Sequence, residues 1–303
     1  MTRRVAVTGA GGFIGRGVTA ALAARGDVPI AIARPFSTPA MTETFRTVDR
    51  VVHLAGVVSA VHERDFIAGN VDATRAVALA AAAAGVRLIH VSSLAAAGPA
   101  PPSAPRAEDD PSIPLTPYGR SKLEGEHVVA GTPGLASTIL RPGAVYGQDG
   151  RTLLPLFRLA ARGILPVVGR ADAAFTFIHI RDVVRAILAA VDIDASGPIF
   201  VGHPQPVTPR ELVEAIRSDT GGKAAMVPIP LALMRVAAGC GDLFGAVTGH
   251  AALINRWRYA EMASEGFCCR VDRLRDRLGV EAQIDLAQGI AETGDWYRSV
   301  GWL

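Results

Sequence analysis

The sequence predicts an α/β protein built on a doubly wound parallel β-sheet, followed by a small C-terminal α/β lobe. The main observation is alternation: short apolar runs typical of buried strands are separated by helical segments through the first half. The predicted strands are Val5–Val7, Val28–Ala33, Arg50–Leu54, Arg87–Val91 and Ser137–Leu140. The predicted helices among them include Val71–Ala84 and Tyr118–Ala130. Beyond Arg151, helices alternate with short strands and form the smaller lobe.

The second observation is a glycine-rich turn between the first strand and the first helix. Gly9, Gly12 and Gly15 follow the strand at intervals of three residues. Glycines at this spacing permit a tight turn, close approach of the backbone to a pyrophosphate, and close packing of helix on strand. The helix N-terminus then offers free N–H groups to phosphate oxygens. The turn therefore predicts a dinucleotide site.

The charge and hydropathy patterns exclude several classes of partner. Half of the 303 residues are hydrophobic, enough for a large core. Lysine and arginine total 31 against 28 acidic residues, a net charge of +3 with no basic block, so we expect no nucleic-acid partner. The most apolar late stretch, Ile229–Val247, contains Arg235 and Asp242, so we expect no membrane partner either.

The cysteines and the first residues bear on the cell compartment. Cys240, Cys268 and Cys269 lack the spacing of metal ligands, so no metal site is expected. Adjacent cysteines are rarely disulfide-bonded, which favours reduced thiols. The first residues lead directly into a strand pattern and leave no room for a signal peptide. Together these features predict a soluble cytoplasmic protein.

Tyr118 and Lys122 form the candidate catalytic pair. Four residues apart on a helix, their side chains lie on one face. A nearby ammonium favours the phenolate, so the spacing predicts a tyrosine that exchanges protons below its ordinary pKa of roughly 10. Alone the pattern is common, and a solvated helix face would explain it. Ser93, at the end of an apolar run, and the glycine turn make a redox site the better interpretation.

These motifs, with several others in the same order, resemble the extended short-chain dehydrogenase/reductases, specifically the NAD-dependent epimerase/dehydratase family. The matching segments are Thr8–Gly15, His53–Gly56, Asn70-Val71, Val91–Ser93, Tyr118–Lys122, Arg141–Gly147 and Phe177–Val183. The resemblance implies a Rossmann-like NAD(P)-binding domain of residues 1–147 plus 177–200. It implies a substrate-binding lobe of residues 148–176 plus 201–303, a small-molecule substrate and possible homodimers formed through the Tyr–Lys helix.

The resemblance also assigns site residues. Ser93, Tyr118 and Lys122 would be the catalytic triad, in which Tyr118 moves a proton to or from the substrate oxygen while a hydride moves to or from the nicotinamide. Ser92 competes with Ser93, whose spacing to the tyrosine fits the family better. The residues expected to bind the cofactor are Gly9, Gly12, Phe13, Ile14, Gly15, Arg34, Leu54, Ala55, Gly56, Tyr118, Lys122, Pro142, Gly143 and Val145. His53 and Asn70 are expected to be structural.

The cofactor half departs from the family in two ways. NAD-preferring members end the second strand with an acidic residue, whereas this chain has Ala33 followed by Arg34, which favours NADP over NAD. Residues 35–50 are too few for another strand and a crossover helix. We therefore expect the third strand to be missing or reduced, with Val28–Ala33 as the sheet edge. Pro29 agrees, because proline is tolerated mainly on edge strands.

The substrate side predicts an oxidoreductase that transfers a hydride at a secondary alcohol or ketone. Leu94 and Ala95 stand where the family's dehydratases carry Asp-Glu, and the apolar segment Leu94–Ala97 predicts a wall for a less polar substrate. The first alternative is a nucleotide-sugar 4-epimerase, in which arginines would clamp the diphosphate; the candidates are Arg158, Arg162, Arg256 and Arg258. The second alternative is a non-catalytic dinucleotide-binding scaffold or sensor. The Pro-rich segment 99–114 is either a mobile flap or a plain surface loop.

Overall fold

The computed structural model describes residues 2–303. Its strands are β1 Arg4–Thr8, β2 Val28–Ile32, β3 Arg50–His53, β4 Leu88–Val91, β5 Ser137–Pro142, β6 Ala144–Tyr146, β7 Ile164–Val168, β8 Ala174–Phe175, β9 Phe177–His179, β10 Pro198–Val201, β11 Ala225–Ile229 and β12 Gly266–Phe267. Its α-helices are α1 Phe13–Ala24, α2 Thr38–Phe45, α3 Glu63–Phe66, α4 Ala73–Ala84, α5 Pro117–Ala130, α6 Leu154–Ala161, α7 Ile180–Asp192, α8 Pro209–Asp219, α9 Leu231–Thr248, α10 Arg256–Ala263, α11 Asp272–Leu278 and α12 Leu286–Ser299. A π-helical turn, Ile67–Asp72, precedes α4, and a 3-10 turn, Leu94–Ala96, follows β4.

The central sheet has six strands in the order β10-β5-β4-β3-β1-β2, and every pair is parallel. Its β1 side chains alternate between faces, as a pleated strand requires. Val5 and Val7 pack in one core with α1 and α7, while Ala6 packs in a second core with α2, α4 and α5. Because helices cover both faces, the sheet is doubly wound, and the predicted fold class is confirmed.

The edge of the sheet lies at β2, which pairs only with β1 among the described strands. Residues 35–50 hold the eight-residue helix α2 and contribute to the sheet only through the first residue of β3. Met41 and Phe45 of α2 are buried against the sheet, so this short helix covers the core where a longer crossover would otherwise lie. The expected loss of the third strand therefore agrees with the topology.

Three short parallel pairings lie outside the central sheet. Strand β7 pairs with β11 and β8 with β12 within the smaller lobe, and β6 pairs with β9 within the segments predicted to belong to the cofactor domain. Helix α8 begins with a capping box: the Thr208 hydroxyl accepts from the Glu211 N–H at 3.2 Å, and the Glu211 carboxylate accepts from the Thr208 N–H at 2.8 Å. The predicted division at residues 147/148, 176/177 and 200/201 stays a prediction.

The Pro-rich segment between β4 and α5 is fixed to the body of the protein. Ala100 and Arg106 form bridges with the strand around β12, and Arg106 also donates to the carbonyls of Pro99 and Pro111. Glu108 is buried and accepts from the Phe200 N–H at 3.1 Å. These anchors favour the plain loop over the mobile flap.

Helix α9 departs from the expectation for the apolar stretch at 229–247. It has 18 residues with a mean hydropathy of 1.4, which is long and apolar enough to cross a membrane by length and composition, and only 17% of that stretch is buried. The sequence predicts no such segment, because Arg235 and Asp242 interrupt the stretch. The structure shows a continuous helix that keeps most of its apolar side chains exposed.

Candidate active site

The glycine turn connects β1 to α1 at the carboxyl edge of the sheet. Gly9 has φ +70°, a left-handed conformation that favours glycine, and a Cβ there would lie 2.8 Å from the Ala55 nitrogen. A Cβ at Gly15 would lie 2.0 Å from the Gly9 carbonyl oxygen, so the helix can approach the turn only without a side chain. Gly12, at the N-cap of α1, brings no capping side chain, which leaves the first N–H groups of the helix free.

The other predicted cofactor residues surround this turn. Phe13, Ile14, Leu54 and Val145 pack together against the core that underlies β1, although they lie on three separate segments. Gly143 adjoins Thr176, since a Cβ there would lie 2.3 Å from the Thr176 carbonyl oxygen. Pro142 ends β5, the neighbour of the strand that leads to Ser93.

Arg34 lies just past the end of the edge strand β2 and is exposed. Its guanidinium lies 5.3 Å from the centre of the Phe36 ring and donates to the Gly69 carbonyl at 3.2 Å. Arg34, the residue predicted to bind the 2′-phosphate of NADP, therefore lies at the exposed edge of the sheet beside the Phe36 ring.

Gly56 links the cofactor loop to the catalytic helix. A Cβ at Gly56 would lie 2.9 Å from the Asn70 side-chain oxygen and 4.0 Å from the Lys122 Nζ. Asn70 accepts from the Val57 N–H at 2.7 Å, donates to the Val57 carbonyl at 2.9 Å and donates to Ser121 at 2.9 Å. The asparagine thus ties the loop after β3 to α5, which agrees with its expected structural role.

The three predicted catalytic side chains come together where β4 and α5 meet. Ser93 caps the 3-10 turn by accepting from the Ala95 N–H at 3.2 Å, and its hydroxyl lies near that of Tyr118, whose pKa it lowers. Tyr118 and Lys122 both lie on α5, which begins with Thr116 as N-cap and Pro117 as its first residue. The Lys122 Nζ donates to the Val91 carbonyl at 2.8 Å.

The pKa values of this pair differ from what the spacing predicts. Burial raises the pKa of Tyr118, Glu261 raises it further, and the nearby Ser93 hydroxyl and the charge of Arg258 lower it. Burial lowers the pKa of Lys122 to about 8. The structure therefore does not show the lysine-depressed tyrosine pKa that the sequence predicts. The reason is desolvation, which disfavours the charged form of both groups.

Ser92, the competing candidate, lies on the other side of the chain. It is buried, and its hydroxyl has no hydrogen-bond partner among the described residues. Ser93, and not Ser92, acts on the pKa of Tyr118, so the placement of the two hydroxyls favours Ser93.

His53 is buried beneath the site. It bonds with Thr8 at 2.6 Å and with Thr74 at 3.0 Å, and its ring stacks on His90 at 5.4 Å between centroids. Burial and the nearby positive charges lower the pKa of His53 to about 3. A neutral imidazole held on both sides agrees with the expected structural role.

Of the groups around Tyr118, Arg258 is among the arginines predicted for a diphosphate clamp, whereas the sequence does not mark Phe66 or Glu261. The Phe66 ring lies 6.1 Å from the Tyr118 ring, and Trp257 lies edge-on to Phe66 at 5.5 Å. On α10, Arg258 donates to Glu261 at 3.1 Å, and burial raises the pKa of Glu261. These residues come from segments far apart in the chain, and no local motif marks them.

The apolar wall expected at Leu94–Ala97 is largely part of the core. The 3-10 turn directs Leu94 and Ala97 inward, where they pack with Phe200 and Cys269. Only Ala95 of this segment is partly exposed. The partly exposed apolar group near the triad is instead Trp257, which packs on the buried Phe66.

The arginines considered for a diphosphate clamp do not form one cluster. Arg158 donates to the Trp302 carbonyl at the C-terminal end of the chain. Arg256 stacks over Trp257 at 5.2 Å, and Arg258 is paired with Glu261. Only the two on α10 are near the triad.

The residues present fit a dinucleotide. The turn at Gly9, Gly12 and Gly15 is tight because these residues have no side chains, which would lie too close to the neighbouring backbone. The N-terminus of α1 supplies free N–H groups that can donate to phosphate. Lys122 and Gly56 lie together at the other end of the cleft. Among the described residues no group of three His, Cys, Asp or Glu side chains could hold a metal ion.

Comparisons with known proteins identify the family of this chain. The NAD dependent epimerase/dehydratase family matches residues 5–201. The chain is 30% identical to the ceramide reductase of Caulobacter vibrioides, over 99% of this chain and 96% of that protein. It is 28% identical to the UDP-glucose 4-epimerase of Azospirillum brasilense, over 98% and 92% of the two chains.

Solved structures share the fold. The UDP-glucuronic acid 4-epimerase of Bacillus cereus, in complex with UDP-glucuronic acid and NAD, superposes with a TM-score of 0.77. The two chains are 18% identical, and the match covers 98% of this chain and 99% of the epimerase.

Proposed function

Because this chain belongs to the NAD-dependent epimerase/dehydratase family, we propose that it reduces a ketone on a long-chain lipid, with NADPH as the hydride donor. The chain is an NAD(P)-dependent oxidoreductase that transfers a hydride at a secondary alcohol or ketone. The lipid substrate, the direction and the preference for NADPH are our proposal. The observation that carries it is the partly exposed ring of Trp257, which packs on the buried Phe66 beside Tyr118.

Proton transfer is the task of Tyr118. When bound, the cofactor supplies a hydride to the carbonyl carbon, and the carbonyl oxygen must then gain a proton. Tyr118 donates it, and Ser93 polarises the same oxygen. The raised pKa of Tyr118 keeps the phenol protonated at neutral pH, as reduction requires. Lys122, held by the Val91 carbonyl, orients the nicotinamide ribose.

The ceramide reductase relative, aligned over 99% of this chain, points to a substrate class. Ceramide carries one secondary alcohol between a long alkyl chain and an amide-bearing carbon, and a reductase would form this alcohol from the corresponding ketone. A long alkyl chain suits the partly exposed ring of Trp257, on which burial of hydrocarbon is favourable. We therefore name a ceramide whose secondary alcohol is oxidised to the ketone as the probe substrate.

Arg34 supports the choice of NADPH. Its planar guanidinium can bind a 2′-phosphate in bidentate fashion. The preceding residue, Ala33, is not acidic and therefore does not repel the phosphate. We expect Arg34→Ser to lower kcat/KM for NADPH about tenfold, the usual effect of losing one hydrogen bond to a charged group. The kcat/KM for NADH should stay nearly unchanged, because NADH has no 2′-phosphate. Arg64→Ser, at an exposed arginine, is the matched control. Equal loss with both cofactors would contradict the NADPH assignment.

The runner-up function is a nucleotide-sugar 4-epimerase, favoured by Arg256 and Arg258 near the triad. Against it, Arg258 is already paired with Glu261, which competes with a diphosphate. One experiment separates the two functions. The enzyme is incubated with NADPH and the ceramide ketone, and in parallel with NAD⁺ and UDP-glucose, because an epimerase must first oxidise its substrate. A fall in absorbance at 340 nm with the ketone supports the reductase. UDP-galactose formation without net cofactor reduction supports the epimerase and overturns the proposal.

A further inference from the structure

We propose that helix α9 docks the protein on the surface of an anionic lipid membrane, from which the substrate enters the active site. The inference rests on the proposed function in one respect, since it explains how a long-chain lipid reaches the triad. It differs from the sequence-based expectation of no membrane partner. The evidence is the exposed face of α9, its charges and its position beside the site.

The exposed face of α9 is an apolar stripe. Leu233, Val236, Leu243, Phe244 and Val247 are 54–78% exposed. At about 100° per residue these five side chains fall within a sector of roughly 120° along the whole helix. Aliphatic and aromatic side chains this exposed are costly in water and are typical of an interaction surface.

The opposite face holds α9 against the protein. Ala238 and Gly245 are buried, and a Cβ at Gly241 would lie 1.8 Å from the Ile254 carbonyl oxygen. A Cβ at Gly245 would lie 3.7 Å from Val61. Because one face packs on the domain along its length, α9 lies on its surface and would enter a bilayer sideways, as an interfacial helix does.

The charges complement an anionic surface. Arg235 is exposed and lies about 130° around the helix from the centre of the stripe, on the polar side, and Asp242, farther round, accepts from the Arg256 N–H at 3.3 Å. Beyond the helix, Leu253 is 64% exposed and precedes the exposed Arg256. An apolar stripe with arginines on the polar side of the same surface helix and next to it is the pattern that binds anionic headgroups.

The packed face of α9 lies next to the active site. Val61, in contact with Gly245, belongs to the loop that begins at Gly56 beside Lys122. Helix α10 packs on α9 and contributes Trp257, whose ring contacts the buried Phe66. The exposed Val58 lies on the same loop as Val61. A protein docked through α9 would therefore hold its active site close to the bilayer from which the alkyl chain comes.

A second copy of the chain fits this face less well. Pairing two copies through α9 by a two-fold axis would bring Arg235, Arg256 and Arg258 of each copy near those of the other. An anionic membrane offers these arginines opposite charge as well as hydrocarbon. We therefore assign the face to lipid and leave dimer formation as an outcome of the test.

The test is co-sedimentation of the full chain with vesicles of phosphatidylglycerol and phosphatidylcholine, compared with vesicles of phosphatidylcholine alone. We expect wild type to sediment with the anionic vesicles and Leu233→Glu/Leu243→Glu to lose at least tenfold in affinity. The control, Leu79→Glu/Leu303→Glu, places two charges at exposed leucines elsewhere and should bind like wild type. Circular dichroism checks that both variants are folded.

Three results would overturn the docking proposal: wild type stays in the supernatant, the α9 variant binds like wild type, or wild type elutes as a dimer that the variant converts to monomers without vesicle binding. A water-soluble short-chain ketone separates this proposal from the proposed function. Reduction of that ketone without vesicle binding removes docking alone. Vesicle binding without reduction of either ketone removes the proposed function alone.

Discussion

Replacing Gly15 by alanine should weaken cofactor binding through a backbone collision that can be measured in the structure. The new Cβ would lie 2.0 Å from the Gly9 carbonyl oxygen and 2.8 Å from the Ala10 Cα. Contacts between such atoms are essentially never under 3.0 Å, so the start of α1 must move away from the turn by about 1 Å. That movement displaces the N–H groups that would bind the pyrophosphate.

The expected cost is that of overpacking, about 1–3 kcal/mol, which corresponds to a roughly 5- to 150-fold rise in Kd for NADPH. Alanine's better helix propensity offsets part of the loss in stability, so the cofactor affinity should change more than the free energy of unfolding. Gly11→Ala is the matched control, because a Cβ there has nothing within 4 Å. Isothermal titration with NADPH measures both variants. If Gly15→Ala binds NADPH as tightly as wild type, the assignment of this turn as the pyrophosphate site is wrong.

Two further predictions concern buried charges. Glu126→Gln should lower the free energy of unfolding, measured by urea denaturation, by about 3–5 kcal/mol, because Arg141, which donates to Glu126 at 2.6 Å, would keep a buried unpaired charge. The control Glu124→Gln, at an exposed position, should change the free energy of unfolding by less than about 0.5 kcal/mol. Equal effects of the two substitutions would contradict the pairing of Glu126 with Arg141. Burial lowers the pKa of Lys122 from 10.5 to about 8, so between these pH values the folded state binds fewer protons than the unfolded state. Keeping Lys122 charged in the folded protein therefore lowers the free energy of unfolding by about 3 kcal/mol below pH 8, and this loss of stability is relieved as the pH rises. Stability relative to Lys122→Met should therefore increase from pH 7.5 to 9, and a flat difference would show that Lys122 keeps its ordinary pKa.

Local sequence predicts the cofactor half of this protein well. The edge position of β2 follows from Pro29 and from the shortness of residues 35–50, both of which act within one crossover. The glycine turn and the spacing of Tyr118 and Lys122 are likewise local features of one strand–helix unit or one helix.

The remaining features depend on tertiary contacts. Phe66 and Trp257 meet beside Tyr118 only after folding, so no spacing marks them. The tyrosine pKa follows burial, which helical spacing does not encode. Composition alone cannot distinguish a buried apolar helix from an exposed one, so the sequence does not predict that α9 is exposed. Leu94 and Ala97 point inward because they pack against Phe200, a tertiary contact that the local sequence does not encode.

The most direct test of the central claim is single-turnover hydride transfer from NADPH to the ceramide ketone by wild type and Tyr118→Phe. Phenylalanine keeps the ring against Phe66 but removes the proton-donating hydroxyl near Ser93. Tyr259→Phe on α10 is the control for loss of a tyrosine hydroxyl. We predict a rate about 10²- to 10⁴-fold lower for Tyr118→Phe, with the Kd for NADPH unchanged. Transfer at the wild-type rate would contradict the assignment of Tyr118 as the acid.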